Sequence, residues 1–139
     1  MLSQLPVSVI LLYSIAAAAL LIYLPFLLVA YARVQIGYQA LATPRAVFDK
    51  LPPYAQRATW AHQNSLEAFM LFAIAALMAY ITGVHSTTAT VAAIAFVVAR
   101  LLYSISYILN IPLLRSLMFA IGSLSSAILI ISSIIQAQS

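Results

Sequence analysis

The sequence contains very little charge. Of its 139 residues, 6% are charged, whereas a soluble domain carries roughly 25% to cover its surface. The scarcity of charge excludes a soluble globular domain and a disordered chain, and the six dispersed Lys and Arg residues exclude a nucleic-acid-binding surface. Cysteine is absent, which excludes disulfides, thiolate catalysis by the protein and cysteine-based metal sites. Because 65% of the residues are hydrophobic, the chain is expected to be an integral membrane protein in contact with the lipid bilayer.

Four apolar segments predict four transmembrane helices, at about residues 7–32, 57–82, 88–109 and 113–135. Each is long enough to cross a hydrocarbon core of about 30 Å at 1.5 Å per residue. The runs are continuous rather than alternating, which argues against a β-barrel. We therefore predict an all-α membrane protein, a four-transmembrane-helix bundle that forms a single domain over residues 1–139, with a long loop at about 33–56.

The positive charges indicate the orientation of the bundle in the membrane. Arg33, Arg45, Lys50 and Arg57 lie between the first two helices, and Arg115 follows the third helix. The loop around His85 and both termini have no charged side chains. The positive-inside rule then predicts that the first and third loops are cytoplasmic and that both termini lie on the opposite side.

Two charged residues, Glu67 and Arg100, fall well inside apolar segments. An isolated charge at that depth is costly, so each side chain is expected to face the interior of the bundle and to pair with the other. Such a pair fits two interpretations that do not exclude each other. One is a structural contact that fixes the packing of two helices, and the other is a part of a functional site.

Further polar residues follow steps of three and four along the second and third helices, and each set therefore forms one stripe. The stripes consist of Arg57, Trp60, Asn64 and Glu67, and of Arg100, Tyr103, Ser104 and Tyr107. Transmembrane helices turn polar side chains away from lipid, so two stripes at matching depth predict a polar groove that opens toward the cytoplasm. For Trp60, a place in the interfacial aromatic belt is the favoured explanation.

Other polar residues give weaker signals. His62 is predicted on the other side of the second helix from Asn64, and His85 in the opposite loop, so we expect no metal site. No His or Asp accompanies Ser116, which argues against a serine nucleophile. On the fourth helix, Gly122 and Ser126 are typical of close packing between helices.

The sequence also resembles a known family. The string Arg57-Ala-Thr-Trp-Ala-His-Gln-Asn-Ser-Leu-Glu-Ala-Phe69 resembles the signature of the MAPEG superfamily, the membrane-associated proteins in eicosanoid and glutathione metabolism, and most resembles its bacterial branch. The match continues through Ala99-Arg-Leu-Leu-Tyr-Ser-Ile-Ser-Tyr107 and through Arg115-Ser116.

The resemblance implies a homotrimer that binds glutathione as a cosubstrate between neighbouring subunits, in the cytoplasmic half of the membrane. Carried over by position, the residues that hold glutathione are Asn64, Glu67, Arg100, Tyr103 and Tyr107. The resemblance assigns stabilisation of the glutathione thiolate to Arg115, because a cation beside a thiol favours its ionised form. Arg33 is a further expected contact for a carboxylate. Trp60 and Gln63 depart from the pattern, since several glutathione-using members carry Arg at one or other of these positions.

Three functions remain open from the sequence. The first is a glutathione-dependent transferase or peroxidase that acts on hydrophobic small molecules delivered by the bilayer, with catalysis by Arg115. The second is a non-catalytic membrane module, either a lipid-binding scaffold or an accessory subunit with a membrane protein partner. The third is a small proton-coupled exporter, which would require Glu67 to titrate freely, whereas a pairing with Arg100 would hold it ionised.

Overall fold

The computed structural model describes residues 5–139, and its helices account for nearly all of them. In chain order they are α1 (Val7–Ile36), the short α2 (Tyr38–Ala42), α3 (Pro53–Ile81), α4 (Thr87–Ile108) and α5 (Pro112–Gln138), with a 3-10 turn at Phe48–Lys50 between α2 and α3. The described residues contain no strand. We call the end of the bundle where α1 finishes, α3 starts and α4 joins α5 the loop side.

The four long helices are each long and apolar enough to cross a membrane. Many large hydrophobic side chains on their surfaces are exposed, among them Leu20 at 74%, Ile81 at 79% and Leu113 at 84%. So large an apolar surface is stable only against lipid or another protein. The structure confirms the predicted multi-pass, all-α membrane protein with four spanning helices.

The connection on the loop side is more ordered than the sequence suggested. α1 continues to Ile36 instead of ending near residue 32, and it stops where Gly37 adopts a φ of 102°, which L-residues other than glycine rarely adopt. α3 starts at Pro53, because a proline at the first helical position loses no hydrogen bond. The segment Thr43-Pro44 followed by Arg45–Lys50 resembles a capped short helix in sequence, but in the structure it forms turns and the 3-10 turn at Phe48–Lys50.

The start of α4 and the turn between α4 and α5 are determined by residues at those positions. Ser86 caps α4, since its hydroxyl accepts a hydrogen bond from the amide of Ala89 at 3.1 Å. Asn110 has a φ of 59° and reverses the chain between α4 and α5. This tight turn places the start of α5 beside the end of α4, which brings Arg115 back to the polar stripe of α4.

The core of the bundle lies away from the loop side and is built largely from alanine. Ala75, Ala76 and Ala93 are fully buried, so the helices can approach closely. At the centre, the rings of Phe72 on α3 and Phe96 on α4 stack with centroids 3.8 Å apart. This contact fixes how α3 packs on α4, and thereby the alignment of their polar stripes.

Candidate functional site

Arg100 is the centre of the polar site between α3 and α4. It lies eight residues before the end of α4, about 12 Å from the loop side at 1.5 Å per residue, and it is 4% exposed. Its Nη2 atom donates to Asn64 Oδ1 at 3.0 Å and to Ser65 Oγ at 3.2 Å. Its guanidinium carbon lies 4.0 Å from the centroid of the Tyr103 ring, a cation–π contact. The Nε atom is buried and has no hydrogen-bond partner among residues 5–139.

The expected ion pair between Glu67 and Arg100 is not formed in the chain. Arg100 is on the buried side of α4 and donates to the neutral oxygens of Asn64 and Ser65. Glu67 is exposed on the surface of the single chain, at the edge of a cavity that Arg100 also lines. The two side chains therefore share one cavity without a direct contact, because they approach it from different sides. Because this ion pair does not form within the chain, Arg100 does not count against a proton-coupled exporter.

Aromatic rings and a second arginine surround the groove nearer the loop side. Tyr103 and Tyr107 have ring centroids 5.7 Å apart, and the guanidinium carbon of Arg115 lies 4.5 Å from the centroid of Tyr107. Trp60 lies 6.4 Å from Tyr107 and 5.6 Å from Phe48, between centroids. Trp60 is 43% exposed, which is compatible both with a place in the interfacial belt and with one wall of the groove.

These side chains line two adjoining cavities. The deep cavity has a volume of about 240 Å³ and includes Asn64, Glu67, Arg100, Gly122 and Ser126 in its walls. The outer cavity has a volume of about 310 Å³ and is lined by Asn64, Tyr103, Tyr107, Arg115, Ser116 and Phe119. Asn64 and Phe119 belong to both walls, so the cavities meet there. Together they reach the size range of small-molecule sites, roughly 300–1,000 Å³.

Two residues have roles that the sequence reasoning missed. Ser65 falls within the buried alanine face of α3, at 5% exposure, where it accepts from Arg100. A single hydroxyl within an otherwise apolar buried face was the available signal. Arg57 was expected in the polar stripe, but its Nε atom donates to the carbonyl oxygen of Ile108 at 2.9 Å and thus caps the end of α4. Arg57 therefore has a structural role.

Arg33 and His62 lie elsewhere, on the other side of α3 from the groove. Both line a separate cavity between α1, the connection and α3. His62 Nδ1 lies 2.8 Å from the carbonyl oxygen of Ile22, next to the turn of α1 that Pro25 interrupts. Since a carbonyl can only accept, Nδ1 carries the hydrogen. Within one chain, Arg33 does not join the other six predicted site residues.

Comparisons with known proteins give one match. A family model described as MAPEG family matches residues 10–135 of the chain. Neither the curated proteins nor the solved structures include a match. The matched range includes most of each transmembrane helix and all residues that line the two cavities of the site.

Proposed function

Because the chain belongs to the MAPEG family, we propose that it is a glutathione-dependent transferase or peroxidase that acts on hydrophobic electrophiles from the bilayer. The observation that carries the proposal is the arrangement around the two cavities. Asn64 joins them, Arg100 lies at the deep end and Arg115 at the outer end. The family is associated with glutathione, and the two separated cations of the site match the separated anionic groups of glutathione. Both observations favour glutathione as the ligand.

Each groove residue has a proposed part in binding glutathione. The amide of Asn64 and the carboxylate of Glu67 suit the ammonium and amide groups of the tripeptide, and the buried guanidinium of Arg100 suits a carboxylate. Tyr103 and Tyr107 supply hydroxyl groups and ring faces around the bound peptide. The contacts around Arg100 form about 12 Å from the loop side between apolar helices, where less water competes with them and they are stronger.

Arg115 has the proposed catalytic part. It lies three residues into α5 and lines the outer cavity, where its guanidinium packs on the Tyr107 ring. A glutathione sulfur in this cavity would lose its proton more easily beside the cation, and the thiolate would then attack an electrophile that arrives from the lipid. Conjugation forms a carbon–sulfur bond at the electrophile, whose leaving group departs with the electron pair.

The exposed surface of α3 supports assembly into a homotrimer. Glu67 is about 21 Å into α3 by helical rise, and a carboxylate exposed at that depth is costly against lipid. The exposed residues Gln63, Glu67, Met70, Ile74, Leu77 and Ile81 follow alternating steps of four and three. This is the spacing of a seam at which identical helices pack on one another.

The same assembly gives Arg33 its proposed part. Within one chain Arg33 lies across α3 from the groove, so it could hold a glutathione carboxylate only in a neighbouring subunit's site. The side of the membrane follows from the positive-inside rule, which predicts the groove in the cytoplasmic half.

A matched pair of variants tests the binding site. Asn64→Ala and Ser65→Ala each remove one acceptor from Arg100 Nη2, but only Asn64 lines the cavities. In calorimetric titrations of the purified protein with glutathione, we expect the Asn64 variant to bind at least tenfold more weakly and the Ser65 variant to bind like the wild type. Equal binding by both variants would place glutathione elsewhere. No binding by the folded wild type would favour the non-catalytic membrane module.

A second matched pair tests the trimer. Ile74→Trp adds bulk to the seam on α3, whereas Leu124→Trp adds the same bulk to an exposed position on α5, at 61% exposure, away from that seam. We expect light scattering in detergent to give a trimer mass for the wild type and the Leu124 variant, and a smaller mass for the Ile74 variant. A monomeric wild type would refute the assembly.

A further inference from the structure

Trp60 stands at the loop-side end of the groove, and the proposed function gives it no part. It precedes Asn64 by one helical turn, so it lies about 6 Å nearer the loop side than the residue that joins the two cavities. Its ring pairs with Phe48 of the connection at a centroid distance of 5.6 Å and with Tyr107 of α4 at 6.4 Å. We call the surface that Phe48, Trp60 and Tyr107 form the aromatic wall.

The aromatic wall adjoins the position proposed for the glutathione sulfur. Tyr107 contacts both Trp60 and Arg115, since its ring centroid lies 4.5 Å from the guanidinium carbon of Arg115. The proposed peptide extends from Arg115 toward Arg100, which lies seven residues, or about 10 Å, deeper on α4 than Tyr107. The peptide thus occupies the deep side of the sulfur. A group bonded to the sulfur from the loop side lies next to Trp60.

The aromatic wall is flat and carries no charge. Trp60 is 43% exposed, so a large part of its indole ring is open to a ligand. The charge of Arg57, three residues earlier on α3, is held at the end of α4 by the bond to the Ile108 carbonyl oxygen. A ring stacked on an aromatic surface gains free energy beyond the burial of its area, whereas an alkyl chain gains from burial alone. The wall therefore favours a planar aromatic group over an alkyl chain.

We propose that Trp60 determines specificity for the second substrate, by stacking on a planar aromatic ring of the electrophile while the reactive carbon lies at the glutathione sulfur. This inference rests on the proposed function, and it narrows the substrate class to electrophiles that carry an aromatic ring. In the reaction the thiolate bonds to a carbon in the ring or next to it, and the leaving group departs with the bonding electron pair. Trp60 lies about 10 Å from the start of α3, near the membrane interface, where amphipathic aromatic groups are favoured.

Two conjugates with the same peptide test the proposal. S-(4-nitrobenzyl)glutathione carries an aromatic ring on the sulfur, and S-hexylglutathione carries an alkyl chain. Calorimetry measures their affinities, and that of glutathione, for the full-length protein in detergent. Trp60→Leu removes the ring but keeps an apolar side chain, and Trp60→Phe keeps a ring. Tyr31→Leu is the matched control, because Tyr31 is an exposed aromatic residue near the loop-side end of α1 and lines neither cavity of the groove.

We expect Trp60→Leu to bind the nitrobenzyl conjugate about fivefold more weakly than the wild type, and the hexyl conjugate and glutathione within about twofold of it. Trp60→Phe and Tyr31→Leu should keep the affinities of the wild type. Equal losses for all three ligands in Trp60→Leu would show a general structural role for Trp60. Equal losses in Trp60→Leu and Tyr31→Leu would show an effect of the interfacial belt. Either result would overturn the proposal, as would an unchanged affinity of Trp60→Leu for the nitrobenzyl conjugate.

Fluorescence gives a second measurement that needs no variant, because Trp60 is the only tryptophan in the chain. A nitrobenzyl ring stacked on Trp60 should quench its emission saturably, with the midpoint that calorimetry gives. The hexyl conjugate should not quench it. Binding of the nitrobenzyl conjugate without quenching would place its ring elsewhere, and would overturn the proposal even if Trp60→Leu does not fold.

The outcomes separate this inference from the proposed function. A wild type that binds glutathione, but binds the two conjugates without dependence on Trp60, overturns only the specificity. A wild type with Trp60-dependent binding of the nitrobenzyl conjugate that conjugates no aromatic electrophile refutes the proposed activity and keeps the stacking site. A wild type that binds none of the three ligands refutes both. A smaller oligomeric mass of Trp60→Leu would make Trp60 a contact between copies, and would also overturn the specificity.

Discussion

The catalytic part proposed for Arg115 is testable by Arg115→Gln, which removes the charge but keeps hydrogen-bonding capacity. The guanidinium lines the outer cavity and is held 4.5 Å from the Tyr107 ring centroid, so a sulfur in that cavity would lie within several ångströms of it. Opposite unit charges 4 Å apart near a protein surface attract by about 4 kcal/mol. Arg115 is half-buried, and water reduces this attraction, so we take about half, roughly 2 kcal/mol, as the loss of thiolate stabilisation.

A loss of about 2 kcal/mol in the transition state lowers turnover by about 30-fold. The assay is conjugation of glutathione to a chromogenic aryl halide by the detergent-purified protein, with glutathione affinity measured separately by calorimetry. We expect turnover to fall while affinity changes less than threefold, because the peptide is held by the other groove residues. Lys50→Gln, which removes an exposed charge from the same side of the membrane, should leave both values unchanged. Turnover of the Arg115 variant within threefold of the wild type would refute the role.

Three other predictions concern the fold around the site. Ser65→Ala leaves one hydrogen of the buried Arg100 Nη2 without an acceptor, which should lower the free energy of unfolding by about 1–3 kcal/mol. Circular dichroism during unfolding in mixed micelles measures this loss, and unchanged stability would contradict the hydrogen bond. Gly122→Ala should be tolerated, because an added Cβ meets its nearest atoms at 3.7 Å. Gly122→Leu should fill the deep cavity and abolish glutathione binding in a titration. Full binding by the Leu variant would show that glutathione does not occupy the deep cavity. His62→Ala removes the hydrogen bond to the Ile22 carbonyl, so the amides of α1 around Pro25 should exchange hydrogen faster than in the wild type. Mass spectrometry measures the exchange, and equal rates would show that α1 does not depend on this contact.

Much of the groove could be predicted from the sequence, because helical spacing is a local property. Steps of three and four place Asn64 beside Glu67, and Arg100 beside Tyr103 and Tyr107, whatever the helices pack against. In the structure these residues and Arg115 line two adjoining cavities. The glutathione roles of these residues stay predictions.

The partners of individual side chains could not be predicted in the same way. Charge alone favoured Glu67 as the partner of Arg100, but the rotation of α3 against α4 presents Asn64 and Ser65 instead. That rotation depends on packing, including the stacked rings of Phe72 and Phe96, and such contacts join residues distant in sequence. For the same reason, the cap that Arg57 provides for α4 had no local signal.

The sequence by itself determined that this protein spans a membrane with four helices. The length and hydropathy of a helix decide whether it is stable in the hydrocarbon core of a bilayer. Its residue strings also identified the family, which the match over residues 10–135 confirmed. Only the tertiary structure decided what each side of α3 packs against. It separated the groove around Arg100 from the cavity that Arg33 and His62 line, because α3 lies between the two.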